Sequence, residues 1–402
     1  MITLNDIKKA KTILNQVVQR TPLAFAPILS KELNAKIYLK KENLQITGSF
    51  KLRGAFNKIA NLTDEEKEAG VVAASAGNHA QGVAYSAAYY NCDATIVMPE
   101  ATPLTKVSGV KSHGAEVILY GANYDEAYQY AIDFATRHNK AFIHPFADDE
   151  VIAGQGTIAL EILEELDNID KIIVPIGGGG LISGIATAIK ELNPNIQIIG
   201  VVASGANAMK TSYEQNKIIN STTVKTIADG IAVRDVTPKM LDYVKALVDD
   251  IIEVEDKEIA SAILFLLEKQ KIVVEGAGAV GLAAILHNKL DITNQTIVLS
   301  LSGGNIDVTM LSVIIEKGLV KSSRKMNLIV TLIDKPGSLQ KLTEIFTTND
   351  ANIVQIDYDR DSVALDFGDA NVTIGLETKG FEHQELLREQ LSSHGYRFKE
   401  IF

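Results

Sequence analysis

From Val71 onward, short apolar runs alternate with longer stretches in which apolar positions recur every three or four residues. VVAA leads into GNHAQGVAYSAAYY, ATIVMPE into TPLTKVSGVKSHG, and AEVILYG into NYDEAYQYAIDFATRH. Unbroken apolar runs of strand length, each followed by a helix-period segment, predict parallel strands joined by helical crossovers. The fold class is therefore α/β, with sheets covered on both faces. The rhythm resumes at KIIVPIGGGG, continues through the helix LISGIATAIKELN and the strand IQIIGVV, and returns at QTIVLSLSGGN, a strand that again ends in glycines. Ligands of such sheets collect beyond the carboxyl ends of the strands, where these glycines fall.

Around LVKSSRKM, residues 319–326, the pattern gives way to a polar, basic stretch that reads as a linker. Beyond it, MNLIVTLI predicts a strand, PGSLQKLTEIFTTND a helix, ANIVQIDYDR and NVTIGLET two strands, FEHQELLREQLSSHG a helix and YRFKEIF a last strand. That order, βαββαβ, is the ferredoxin-like arrangement.

Composition narrows the function classes. The chain has 402 residues and a formal net charge of -11, so it offers no basic face for a phosphodiester backbone, and nucleic acid is not an expected partner. No apolar run reaches the ~18 to 20 residues of a membrane span, and the amino terminus lacks an uninterrupted signal-like core, so a cytoplasmic protein without membrane association is expected. A single cysteine, Cys92, fits a reducing compartment and cannot build a multi-thiolate metal site.

Candidate chemistry lies at the glycine-rich strand ends. Gly177, Gly178, Gly179 and Gly180 separate a strand from a helix. Residues without Cβ let the backbone approach an anion closely, and the helix start adds unpaired N–H groups at the positive end of its dipole, which makes a phosphate cradle. A dinucleotide loop would need an acidic residue at the end of the next strand, where Val201, Val202, Ala203 and Ser204 stand. Lys51, in TGSFKLRGAF, falls in the first turn of a helix that Thr47 or Ser49 can cap, where the dipole favours a neutral, nucleophilic amine. Lys40 and Lys41, in the strand-like YLKKENL, read as a charged pair facing water. Ser75, Ala76, Gly77, Asn78 and His79 open another helix with a hydroxyl, an amide and free N–H groups that suit an anion, with helix capping by Ser75 as the alternative. Ser302 ends a third strand, again beside glycines.

Taken together, SFKLRG at 49–54, SAGNHAQG at 75–82, GGGGL at 177–181, EGAGA at 275–279 and SGGN at 302–305 resemble the fold-type II pyridoxal-phosphate enzymes, most closely the threonine dehydratases, or threonine ammonia-lyases. The resemblance implies two parallel-sheet α/β subdomains over residues 1–318, the smaller at about 50–155 inserted in the larger, with a linker at 319–325. It implies pyridoxal 5'-phosphate as cofactor, joined to Lys51, with Phe50 packed beside the ring. Asn78 would hold the phenolic oxygen, Gly177 to Gly180 and Leu181 the phosphate, and Ser302 would face the pyridine nitrogen. Ser75, Ala76, Gly77, Asn78 and His79 would receive the substrate carboxylate, and Glu275 would stand behind these contacts. Lys51 would take the α-proton of threonine or serine, and loss of the β-hydroxyl would lead to a 2-oxo acid and ammonia.

Two departures bear on the reaction. Similar serine racemases carry a second serine where this chain has Ala76, so racemisation should be minor. They also place a divalent-metal carboxylate near the strand end where Ala203 stands, so no divalent metal is expected, while a monovalent cation stays open.

Residues 326–402 resemble an ACT domain, a module that binds an amino acid at a paired interface. LIDKPGSL matches its first strand-to-helix loop, which implies an effector site at Gly337, Ser338, Leu339 and Asn352. The implied partners are an amino-acid substrate, an amino-acid effector and further copies of the chain in a homotetramer or homodimer. A purely oligomerising ferredoxin-like unit is the alternative.

Overall fold

A computed structural model describes residues 1–361, 363 and 365–401. The chain forms two compact units, Met1–Ile306 and Asp307–Phe402.

In the first unit the apolar runs become two sheets. The larger contains β1 (Leu23–Phe25), β2 (Lys36–Lys40), β7 (Lys171–Pro175), β8 (Gln197–Ala203), β9 (Asp250–Val254) and β10 (Thr296–Ser300), in the spatial order β1-β2-β10-β7-β8-β9. Only β1 runs antiparallel to its neighbour. The smaller holds β3 (Val71–Ala74), β4 (Ala94–Met98), β5 (Glu116–Leu119) and β6 (Ala141–Phe142) in the order β5-β4-β3-β6, all parallel. Every residue of β3, β4 and β7 is buried, the burial pattern of parallel strands covered on both faces. Ile172, Val174, Ile182 and Ile185 belong to the core of the larger sheet, and Ala73, Ile96, Ala80 and Val83 to that of the smaller.

The helix Lys51–Ala60 packs against the helices Asn78–Tyr89 and Asp149–Glu165. Its contact with the latter is backbone on backbone, since a Cβ on Gly154 would lie 2.5 Å from the Arg53 carbonyl. A buried ionic cluster fixes the same junction. Arg53 donates to Glu42 through Nε and Nη2, both at 2.8 Å, and to Glu161 through Nη1 at 2.6 Å. Lys40 donates to Glu161 at 2.5 Å and to the Thr21 carbonyl at 2.7 Å. Lys40 therefore does not face water as its sequence context suggested; its residue is fully buried. Strand β2 lies inside the sheet between β1 and β10, and the charge at its end is balanced by protein instead.

The second unit begins with the helix Val308–Lys321, capped by Asp307, whose Oδ1 accepts from the Thr309 N–H at 2.8 Å. Residues 319–325, expected as a linker, are thus the last turn of this helix, a short turn and the first residue of the next strand. The run of polar residues from Lys321 to Lys325 suggested a connector because it spans the helix end and the turn that follows. Strands β11 (Lys325–Ile333), β12 (Asn352–Asp359), β13 (Asp369–Glu377) and β14 (Arg397–Glu400) form an antiparallel sheet in the order β12-β13-β11-β14. With helices Ser338–Thr348 and Phe381–Ser393 this is the βαββαβ arrangement expected from the pattern, around a core of Leu328, Val330, Phe346, Val372, Ile374 and Leu387. Gly337 and Ser338 start the first of these helices, Gly337 with φ at 85°, and Leu339 packs on the core. Asn352 opens the edge strand β12, where its Nδ2 donates to Glu377 Oε2 at 2.9 Å.

Candidate active site

Lys51 is the first residue of its helix, and its amine donates to the Pro145 carbonyl at 2.9 Å. Neither Thr47 nor Ser49 caps the helix: Phe50 occupies the cap position, and both hydroxyls are buried with no hydrogen-bond partner among the described residues. The Lys51 amine lies 5.4 Å from the Phe50 ring centre. Burial pulls its pKa from 10.5 down to about 8, against the opposing pull of the Glu275 charge. Desolvation is thus the leading cause that lowers the cost of the neutral amine, where the sequence pointed to the helix dipole.

One short segment joins Lys51 to the tetraglycine turn. Pro145 accepts from Lys51, and the next residue, Phe146, packs closely on the glycines, so a Cβ on Gly178 would come within 2.3 Å of its ring and one on Gly180 within 2.9 Å of its carbonyl oxygen. Gly179 has φ at 95°, a conformation that side chains resist. The first backbone bond of the following helix runs from the Ser183 N–H to the Gly179 carbonyl at 3.0 Å. Among the described residues the N–H groups of Gly179, Gly180, Leu181 and Ile182 have no backbone acceptor. Packing explains why these residues are glycines, and the four open donors at a helix start fit a phosphate group.

A second set of open donors follows β3. The helix Asn78–Tyr89 makes its first backbone bond from Gln81 N–H to the Gly77 carbonyl at 3.3 Å, which leaves the N–H groups of Asn78 and His79 without backbone acceptors among the described residues. Ser75 does not cap this helix; its hydroxyl accepts from the Gly77 N–H at 3.2 Å. Ala76 packs against the small-sheet core. The His79 ring is turned away, with Nε2 donating to the Ile143 carbonyl at 2.8 Å, and burial together with the Lys51 charge holds its pKa near 3. Only the backbone of His79 remains to meet an anion, and its ring stays neutral.

Ser302 is buried just past β10, and its carbonyl accepts from the Phe50 N–H at 3.0 Å, which ties that strand end to the residue before Lys51. Asn78 donates through Nδ2 to Glu275 Oε1 at 2.7 Å and accepts at Oδ1 from Asn305 at 2.7 Å. Burial raises the Glu275 pKa from 4.5. The fold thus brings together Lys51, Phe50, Asn78 with the 75–79 turn, the tetraglycine helix start and Ser302 from four separate segments.

Sequence reasoning missed His144 and Asn305. His144 Nδ1 accepts from the N–H groups of Phe146 and Ala147 at 3.2 and 2.9 Å, which shapes the turn that receives Lys51. Burial, with the Lys51 charge adding to it, lowers its pKa to about 4, so the ring is neutral and its proton resides on Nε2. No sequence signal marks His144, whereas Asn305 stands in the SGGN segment at 302–305 and only its role was not legible there. Among the described residues no helix is long and apolar enough to cross a membrane.

The chain belongs to the pyridoxal-phosphate dependent enzyme family, whose model matches residues 14–303. Among its relatives is an L-threonine ammonia-lyase from Thermotoga maritima, 47% identical over 399 residues that cover 99% of each chain. The catabolic L-threonine dehydratase TdcB of Staphylococcus aureus (strain N315) is 46% identical over 323 residues, 79% of this chain and 93% of that one. Of solved structures, threonine deaminase isoform 2 from Solanum lycopersicum superposes with a TM-score of 0.74 at 39% identity, covering 78% of this chain and 86% of that one. Maize serine racemase superposes with a TM-score of 0.75 at 36% identity, covering 79% and 98%.

Proposed function

We propose that this chain converts L-threonine to 2-oxobutanoate and ammonia, and L-serine to pyruvate and ammonia, by eliminating the β-hydroxyl with pyridoxal phosphate as cofactor. The observation that carries the reading is the buried amine of Lys51, held by Pro145 between two sets of open backbone donors. The bound cofactor supplies an electron sink for the α-carbon. Gly177 to Leu181 bind its phosphate, Phe50 packs by its ring, Asn78 meets its phenolic oxygen and Ser302 its ring nitrogen. Lys51 carries the cofactor until substrate arrives and then takes the α-proton at Nζ. A pKa near 8 suits this task, because a sizeable fraction of the amine is free at neutral pH. The backbone donors at Ser75 to His79 hold the substrate carboxylate and so turn the α-proton toward Lys51. A neutral Ser302 hydroxyl gives the ring nitrogen no charge to hold a proton, which favours prompt loss of the hydroxyl over longer-lived carbanion chemistry.

The second unit serves as an amino-acid-binding regulator of the ACT type, with the helix start at Gly337, Ser338 and Leu339 and the strand start at Asn352 as its ligand contacts. Its ferredoxin-like fold supports this reading. Paired copies of the unit would make the enzyme a homodimer or homotetramer.

The deciding experiment is a coupled assay of 2-oxo acid formation from threonine and serine, run on the parent and on Lys51→Ala, with and without isoleucine and valine. Activity on threonine that falls by several orders of magnitude in the variant is expected. Near-parental turnover without Lys51 would remove it from the reaction, and indifference to amino acids would reduce the second unit to an assembly module.

A further inference from the structure

Asn305 Nδ2 donates to the Thr47 carbonyl at 2.8 Å and to Asn78 Oδ1 at 2.7 Å. A main-chain carbonyl can only accept, so the Thr47 contact settles which end of the Asn305 side chain carries the nitrogen. That nitrogen also faces Asn78, and the end of Asn78 that meets it must therefore be its oxygen. The opposite end of Asn78 is then its nitrogen, which donates one hydrogen to Glu275 Oε1 at 2.7 Å. Among the described residues one N–H of Asn78 has no acceptor, and at its nitrogen end the amide can offer a third group a donor only.

The surroundings leave little room for any other arrangement. A Cβ on Gly48 would lie 2.4 Å from Asn305 Oδ1, and one on Gly303 would lie 2.5 Å from Glu275 Oε1. The Gly304 N–H donates to the Gly48 carbonyl at 2.8 Å, and the Glu275 N–H to the Gly303 carbonyl at 3.0 Å, so the segments that bear Thr47, Asn305 and Glu275 are tied together by their backbones. The charges that act on Glu275 are those of Asp229 and Lys106, and Glu275 in turn acts on Lys51. Of these groups Glu275 alone touches Asn78, and as an acceptor it demands the same polarity that the Thr47 carbonyl imposes through Asn305.

We propose that Asn305 is a positioning residue, which uses the Thr47 carbonyl as a reference to hold Asn78 with its free N–H, and never its oxygen, toward an anionic oxygen of the bound cofactor. The proposal rests on the reading of Asn78 as a contact of the cofactor's phenolic oxygen. An N–H that donates to an oxyanion stabilises the ionised form and keeps its pKa low. Without Asn305 the Asn78 oxygen loses its donor and Glu275 alone holds the amide, so the free N–H is aimed less firmly at that oxygen, which raises the pH at which the oxygen loses its proton.

The test is the pH titration of the visible absorption band of cofactor-loaded protein, with near-UV dichroism to report folding and bound phosphate to report occupancy. Asn78→Ala and Asn305→Ala should each move the midpoint upward, by roughly one pH unit. Asn305→Leu keeps the bulk but removes the donor without adding charge, so it should move the midpoint in the same direction and serves as the second arm where the alanine variant does not fold. The double variant Asn78→Ala with Asn305→Ala should shift no further than Asn78→Ala alone, since Asn305 acts through Asn78. Folded, loaded Asn305 variants with the parental midpoint overturn the proposal when Asn78→Ala shifts it, as does a double variant whose shift is the sum of the two. A silent Asn78→Ala overturns the cofactor contact itself, and the role of Asn305 with it.

Discussion

The amine of Lys51 and the carbonyl of Pro145 are 2.9 Å apart, and that carbonyl belongs to the turn that His144 holds in shape and that Phe146 anchors on the tetraglycine loop. The nucleophile and the anion cradle are therefore mechanically linked through two consecutive residues. Disturbing either end should be felt at the other.

Burying Lys51 costs stability in the cofactor-free protein, and the sign follows from its pKa of about 8 in the fold against 10.5 in the open chain. Below pH 8 both states bind the proton and the fold carries the full penalty. Between 8 and 10.5 the unfolded chain binds more protons, so stability rises with pH, by about 3 kcal/mol over the window. Cofactor-free Lys51→Met should be more stable than the cofactor-free parent at pH 7, by up to about 3 kcal/mol, and should lack this rise. Urea unfolding at pH 7 and pH 10 measures both, and parallel curves for the two proteins would contradict the assignment.

Gly178→Ala should weaken cofactor binding. Its new methyl would lie 2.3 Å from Cδ1 of Phe146, so the ring must move and carry the Pro145 carbonyl away from Lys51. A tenfold or greater rise in the cofactor dissociation constant is expected, corresponding to about 1.4 kcal/mol. Titration of the cofactor-free variant with pyridoxal phosphate, read in the visible band, would show it; unchanged affinity would mean that Phe146 yields without consequence.

Arg53→Met should be costly far beyond its distance from the chemistry. It leaves Glu42 and Glu161 buried without their main partner, a loss of about 3 to 5 kcal/mol for a broken buried pair. Burial alone would raise the Glu42 pKa, but the Arg53 guanidinium and its hydrogen bonds overcome this and hold it below 4.5. The stability that Glu42 contributes is present above pH 4.5 and lost as pH falls through its lowered value. Denaturant melts at pH 7 and pH 4 should show a large gap between parent and variant at pH 7 that narrows in acid.

Ala76→Ser adds a hydroxyl between Ser75 and Gly77, in the turn assigned to the substrate carboxylate. By the resemblance to serine racemases, which carry a serine at this position, that hydroxyl would supply a proton donor on the opposite face of the cofactor. Measurable conversion of L-serine to D-serine should appear beside continued elimination, as followed by chiral chromatography. Equal racemisation by parent and variant would show that Ala76 does not limit the reaction.

The order of elements was legible in the sequence because each rests on local information. VVAA, ATIVM and KIIVP are dominated by apolar residues and became buried parallel strands, and the strand and helix segments after residue 326 became a sheet of the expected order. The glycine loops were legible too, since few other roles call for four glycines in a row. Lys40 shows where local reading ends. A lysine pair on a strand says surface, yet burial depends on which strands lie alongside, and the balancing Glu161 stands 121 residues away. Lys51 does open a helix, as its sequence context suggested, but its lowered pKa comes chiefly from desolvation, a property of the packed surroundings and not of its helix position. Likewise the polarity of Asn78 depends on Thr47, Glu275 and Asn305, contacts that exist only once four distant segments meet. Periodicity and turn chemistry act over a few neighbouring residues and can be read along the chain. Burial, charge balance and hydrogen-bond direction are set by neighbours in space, so tertiary structure alone decided them.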